Sequence, residues 1–148
     1  MKTISLLFLV VFLGKGCNSD LKKEKDSISI EYEAASRGSY YKVLAKQDTI
    51  ITINDRKMKN VEKNKLSTAE WNSIVKLLEE VDLSKLNEFK APTEKRFYDG
   101  AAIAAVKVIY KDQTYTSDSF DDGHPPVEIE KVVKRLLALS TEKSEKKE

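Results

Sequence analysis

The amino-acid sequence predicts an α+β domain: a two-layer sandwich in which an antiparallel sheet of about five strands carries two helices on one face, in the order βββαββα. Three observations lead there. Apolar and polar residues alternate with period two through residues 27–35 and 40–46, and a β-branched run follows at 49–53. Apolar residues recur at helical spacing in two other places, from Trp71 to Val81 and from Ile129 to Leu137. Strands consecutive in the chain are joined by turns too short for parallel crossovers, so they pair antiparallel.

In the first strand Ile28, Ile30 and Tyr32 oppose Ser29, Glu31 and Glu33, the pattern of a strand with one buried face. Residues 36–39 interrupt it, and Gly38 gives the backbone freedom that a tight hairpin uses. After the returning strand at 40–46, Gln47 and Asp48 turn the chain into the third. Residues 54–65 are polar and lysine-rich, with only Met58 and Val61 apolar, and read as a loop or a short, poorly determined strand. Ser67 and Glu70 then make an S-x-x-E capping box, with Leu66 placed to staple onto Trp71. Trp71, Ile74, Val75, Leu78 and Val81 form the buried stripe of that helix. Residues 82–100 read as a long ordered connection. Residues 101–110 are apolar on both faces as far as Val106, the mark of a central strand, and 114–120 return beside it. Residues 121–126 end the sheet, since proline donates nothing to a ladder yet suits the first turn of a helix. The second helix is expected at 127–139. Residues 140–148 contain no apolar side chain and are expected to form a flexible tail.

Residues 1–17 are of another kind. Lys2 gives a positive start, residues 4–13 (ISLLFLVVFL) are almost unbroken apolar, and Gly14, Lys15 and Gly16 lead to Cys17, the single cysteine of the chain. This run is too short to span a bilayer, which takes about 20 residues of helix. A polar segment, NSDLKKEKDS, follows. The stretch resembles a bacterial lipoprotein signal cut before Cys17, with the thiol carrying lipid. Gly14 and Lys15 depart from the usual pattern, which places Leu three positions before the cysteine. The alternatives are simple secretion with a free thiol and an uncleaved interfacial helix. A lone cysteine favours the lipid, because an exported chain that used cysteines for stability would carry an even number. The resemblance implies attachment through Cys17 to a membrane, the outer membrane of a diderm bacterium, by a flexible tether at 18–26 that spans roughly 15 to 18 Å. Lys2 and Lys15 carry the whole net charge of +2, so the remaining chain is balanced and shows no nucleic-acid signature.

His124 is the only histidine, which excludes a multi-histidine zinc site, and no metal or cofactor is expected. Asp118, Asp121, Asp122 and His124 lie close together without the spacing of a calcium loop, and turn and cap chemistry accounts for them. There is no G-x-S-x-G elbow and no phosphate-binding glycine loop, so no catalytic residue is assigned. With 24 acidic residues, a small hydrolase working through two carboxylates stays open as the alternative.

The segment RFYDG at 96–100 enters the fourth strand and FDDGHPP at 120–126 leaves the fifth. A hairpin returns the chain to its starting end, which should bring Arg96, Tyr98 and Asp99 beside Asp121, Asp122 and His124. That edge is the expected recognition surface, with aromatics supplying area and Arg96 reading a polar or acidic group. The competing expectation is structural: Arg96 pairs with Asp121 or Asp122, and Tyr98 packs beneath them. The leader, SRG at 36–38, YDG at 98–100 and FDDGHPP together resemble small uncharacterised lipoproteins of Bacteroidota. The likeness covers most of the folded region and implies an envelope location and a shared fold, but no reaction. The expectation is therefore a membrane-tethered, non-catalytic binding or assembly module whose partner is an envelope protein or polymer.

Overall fold

In the computed structural model, which describes Leu21 and residues 24–146, strand β1 (Ser29–Ala35) runs through the middle of a seven-stranded antiparallel sheet. The leader and Cys17 lie outside the described residues. β1 pairs on one side with β2 (Tyr40–Lys46), and the sheet continues through β3 (Thr49–Ile53) to β4 (Val61–Lys65). On its other side it pairs with β5 (Ile103–Tyr110), which carries both β6 (Gln113–Thr116) and the short β7 (Phe120–Asp121). Helices α1 (Thr68–Leu78) and α2 (Glu130–Glu145) pack together over one face. The expected α+β class and its single helical layer are what the structure has.

Alternation decides which face is covered. Ile30, Tyr32 and Ala34 of β1, Val43 and Ala45 of β2, and Ala104, Val106 and Val108 of β5 are buried toward the helices. Trp71, Ile74 and Leu78 of α1, with Val132, Val133 and Leu136 of α2, close that core. The capping box forms as expected: Ser67 Oγ accepts from the Glu70 amide at 3.2 Å, and Glu70 Oε2 accepts from the Ser67 amide at 2.7 Å.

The sheet has more strands than expected for two reasons. β4 is an edge strand with no buried side chain, so no hydrophobic pattern marks it, and its exposed lysines discourage further pairing. The expected last strand is split. β6 leaves β5 after Thr116, buried Ser117 both donates its amide to the Val106 carbonyl and accepts the Val106 amide on Oγ, and β7 rejoins β5 at Ala104 and Ile103.

Both ends of the domain are more ordered than the sequence predicts. α2 begins at Glu130 rather than 127 and runs through the expected flexible tail to Glu145. Polar partners hold it there: Ser140 Oγ lies 2.9 Å from Tyr41 Oη and 2.7 Å from Thr52 Oγ1, Lys143 Nζ is 2.8 Å from Glu70, and Ser144 donates to Glu62. At the other end the described part of the expected tether, Leu21 and residues 24–26, is docked. Leu21 is fully buried, and Lys25–Ser27 form a 3-10 turn that leads into β1. Among the described residues, no helix is long and apolar enough to cross a membrane.

Candidate functional site

The two loops meet where the hairpin argument puts them, because β7 pairs with the first residues of β5. Asp121 faces inward from β7 and is fully buried. Its Oδ2 accepts from Thr93 Oγ1 at 2.6 Å and the Lys95 amide at 2.7 Å, and its Oδ1 from the Arg96 amide at 2.9 Å and Arg96 Nη1 at 3.1 Å. Burial alone would raise the Asp121 pKa, but the Thr93 hydroxyl, the two amides and the guanidinium hold it well below the usual carboxylate range. Arg96 is itself 8% exposed, also donates to the Thr93 carbonyl and Ser119 Oγ, and stacks over Phe97. This pair belongs to the frame of the domain, as the structural expectation had it.

Asp122 accepts a hydrogen bond from the hydroxyl of Tyr32, a buried β1 residue packed against Phe120. Burial first, and Asp122 second, push the Tyr32 pKa upward, so the phenol stays a donor. The turn between them closes through the His124 amide on the Asp121 carbonyl at 2.8 Å, with Gly123 at φ +81°. The His124 ring is exposed.

Tyr98 departs from the structural expectation. It does not pack beneath the pair but stands 82% exposed, beside an exposed Phe97. Asp99, in a left-handed conformation at φ 56°, ends the 3-10 turn Lys95–Tyr98 and faces Arg37 of the β1–β2 hairpin across 3.7 Å. Of the six residues expected at this edge, Arg96 and Asp121 are therefore interior, Asp122 holds Tyr32, and Tyr98, Asp99 and His124 face outward.

Beside this edge an open cleft of about 1170 Å³ extends over the uncovered face of the sheet. Ala35, Ala101, Ile103 and Ala105 contribute its apolar lining, and Arg37 and Arg56 stand at the hairpin. The Arg56 guanidinium donates to the Ser36 carbonyl and so ties the hairpin to the loop before β4. Deeper along the sheet lies a charge row. Glu31 sits 2.8 Å from both Lys42 and Lys107, and Lys42 is 3.3 Å from Glu33. Burial works to raise the Glu31 pKa, but hydrogen bonds from Lys107 and Lys42 outweigh it and the net shift is downward. The row is set by register, since Glu33 is directly opposite Lys42 and Glu31 directly opposite Lys107.

Compared with models of known protein families and with curated proteins, the chain matches none. Among the described residues, no three His, Cys, Asp or Glu side chains are grouped to hold a metal ion. Asp121 and Asp122, the carboxylates that precede His124 in the chain, are engaged by Arg96 and Tyr32.

Proposed function

We propose that this protein is a lipid-anchored module of the bacterial cell envelope, attached through Cys17 and binding an envelope protein or polymer without chemical turnover, in keeping with its likeness to small Bacteroidota lipoproteins. The observation that carries the binding reading is an open, partly apolar cleft lined by Asp99, Gly100 and Asp122, from the same two loops that carry the exposed Phe97, Tyr98 and His124. Rigid aromatics beside a cleft suit recognition. In the cleft, despite burial, hydrogen bonds from Lys107 and Lys42 lower the Glu31 pKa, which suits a carboxylate that stays ionised rather than a general acid.

The anchor and the site are tested separately. Cys17→Ser should move the protein from the membrane to the soluble fraction, and unchanged partition ends the anchor reading. Tyr98→Ala should abolish capture of the partner from solubilised envelopes at an unchanged melting temperature. Hydrolysis of an envelope polymer that is lost in Glu31→Gln would instead establish the enzymatic alternative.

A further inference from the structure

The anchor reading acquires a direction from Leu21. This residue is fully buried in the hydrophobic core, only four positions after Cys17. The chain that follows is fastened to one end of the sheet. Glu24 lies 3.0 Å from Lys111 and accepts from Tyr110 Oη, both where β5 turns into β6. The Asp26 carbonyl accepts from Gln47 in the β2–β3 turn at 2.9 Å, and Lys25 donates to Asn72 of α1. Four trans residues reach at most about 14 Å, so a lipidated Cys17 holds this end of the sheet at the headgroups. The Arg37 hairpin, the Tyr98 loop and the His124 turn lie at the other end of β1, whose seven residues span roughly 23 Å.

We infer that the domain stands on the membrane by its Leu21 end and presents the cleft and Tyr98 away from the bilayer, to a partner approaching from the aqueous side. The inference rests on the lipid anchor proposed above. Two exposed positions report it: Thr114 in β6, beside the fastened end, and Gly38 in the hairpin, where an added Cβ meets nothing within 4 Å. Because Cys17 carries lipid, a cysteine at either position is the only free thiol for a fluorophore. The full lipidated chains, Thr114→Cys and Gly38→Cys, are placed in phosphatidylethanolamine and phosphatidylglycerol vesicles containing a headgroup-nitroxide lipid, which quenches at short range. Quenching at 114 should exceed that at 38 severalfold. Inserting a long Gly/Ser segment between Asp20 and Leu21 should remove the difference. Flotation separates the two ways of failing. A wild-type chain that does not float with vesicles removes the anchor, and this inference with it. A chain that floats but is quenched equally at both positions overturns the orientation alone, and a difference that survives the insertion overturns the argument from the tether.

Discussion

Arg96→Ala tests whether the Arg96 loop is frame or recognition surface. In the native domain the guanidinium is 8% exposed and donates to Asp121, to the Thr93 carbonyl and to Ser119. Truncation leaves a buried carboxylate without its counter-charge, and removing one member of a buried pair costs roughly 3 to 5 kcal/mol. The lower end applies, because the Thr93 hydroxyl and the amides of Lys95 and Arg96 still hold the carboxylate. For a domain of this size 1 kcal/mol moves the melting temperature by about 4 °C, so Arg96→Ala should lower it by roughly 12 °C. Tyr98→Ala, two residues on, removes an exposed ring and should shift it by less than about 2 °C. Thermal unfolding followed by circular dichroism measures both. An Arg96→Ala domain that melts with the wild type would refute the reasoning. So would a Tyr98→Ala domain that melts as early as Arg96→Ala.

Two further outcomes follow from the same structure. Ser140→Ala removes the hydroxyl that joins Tyr41 and Thr52 beneath α2, and should lower stability by about 1 to 3 kcal/mol in urea titration, whereas a flexible tail would make it silent. Glu70 is held down to about 2 from its ordinary 4.5, first by Lys143 and then by the Ser67 amide. Its stabilisation is therefore complete above pH 4.5 and lost as the pH falls from there toward 2. The urea midpoint should fall across that window, and Lys143→Ala should make the fall shallower.

What the sequence reveals divides by the range of the cause. The α1 start is legible because Ser67, Glu70, Leu66 and Trp71 are local and act locally. The inward faces of β1 and β2 are legible because alternation records burial, whereas β5, apolar on both faces as far as Val106, shows that it is a strand but not which face is covered. β4 is not legible, since an edge strand with no buried side chain carries no apolar rhythm. The order of residues 140–145 escapes a reading based on hydrophobicity, because hydroxyls and an ion pair hold that turn of helix in place. Leu21 escapes for the opposite reason: one buried leucine is averaged away inside a polar run. At the site, the meeting of the two loops follows from hairpin geometry. The Lys107 end of the charge row does not, because it requires β5 to lie beside β1, and the long connection from α1 to β5 leaves that neighbour open.

Most residues of the two loop motifs serve the fold. In RFYDG, Arg96 enters the buried pair and Phe97 lies under its guanidinium. Asp99 adopts the left-handed conformation that Asp tolerates better than most residues. Gly100 approaches so closely that a Cβ would sit 3.2 Å from the Lys95 carbonyl oxygen. In FDDGHPP, Phe120 is core, Asp121 and Asp122 hold Arg96 and Tyr32, Gly123 takes a positive φ, and both prolines are buried. Two side chains remain. Tyr98 is 82% exposed, and the exposed ring of His124 has only a 3.4 Å approach to the Asp122 carbonyl. The buried carboxylate fixes the backbone of Lys95 and Arg96, and its neighbour fixes the turn that carries His124. A partner would thus meet two side chains carried on a backbone already held in place, which lowers the ordering cost of the contact. The buried Arg96–Asp121 pair is thus part of the frame, and Tyr98 and His124 are the side chains of these loops that the frame engages least.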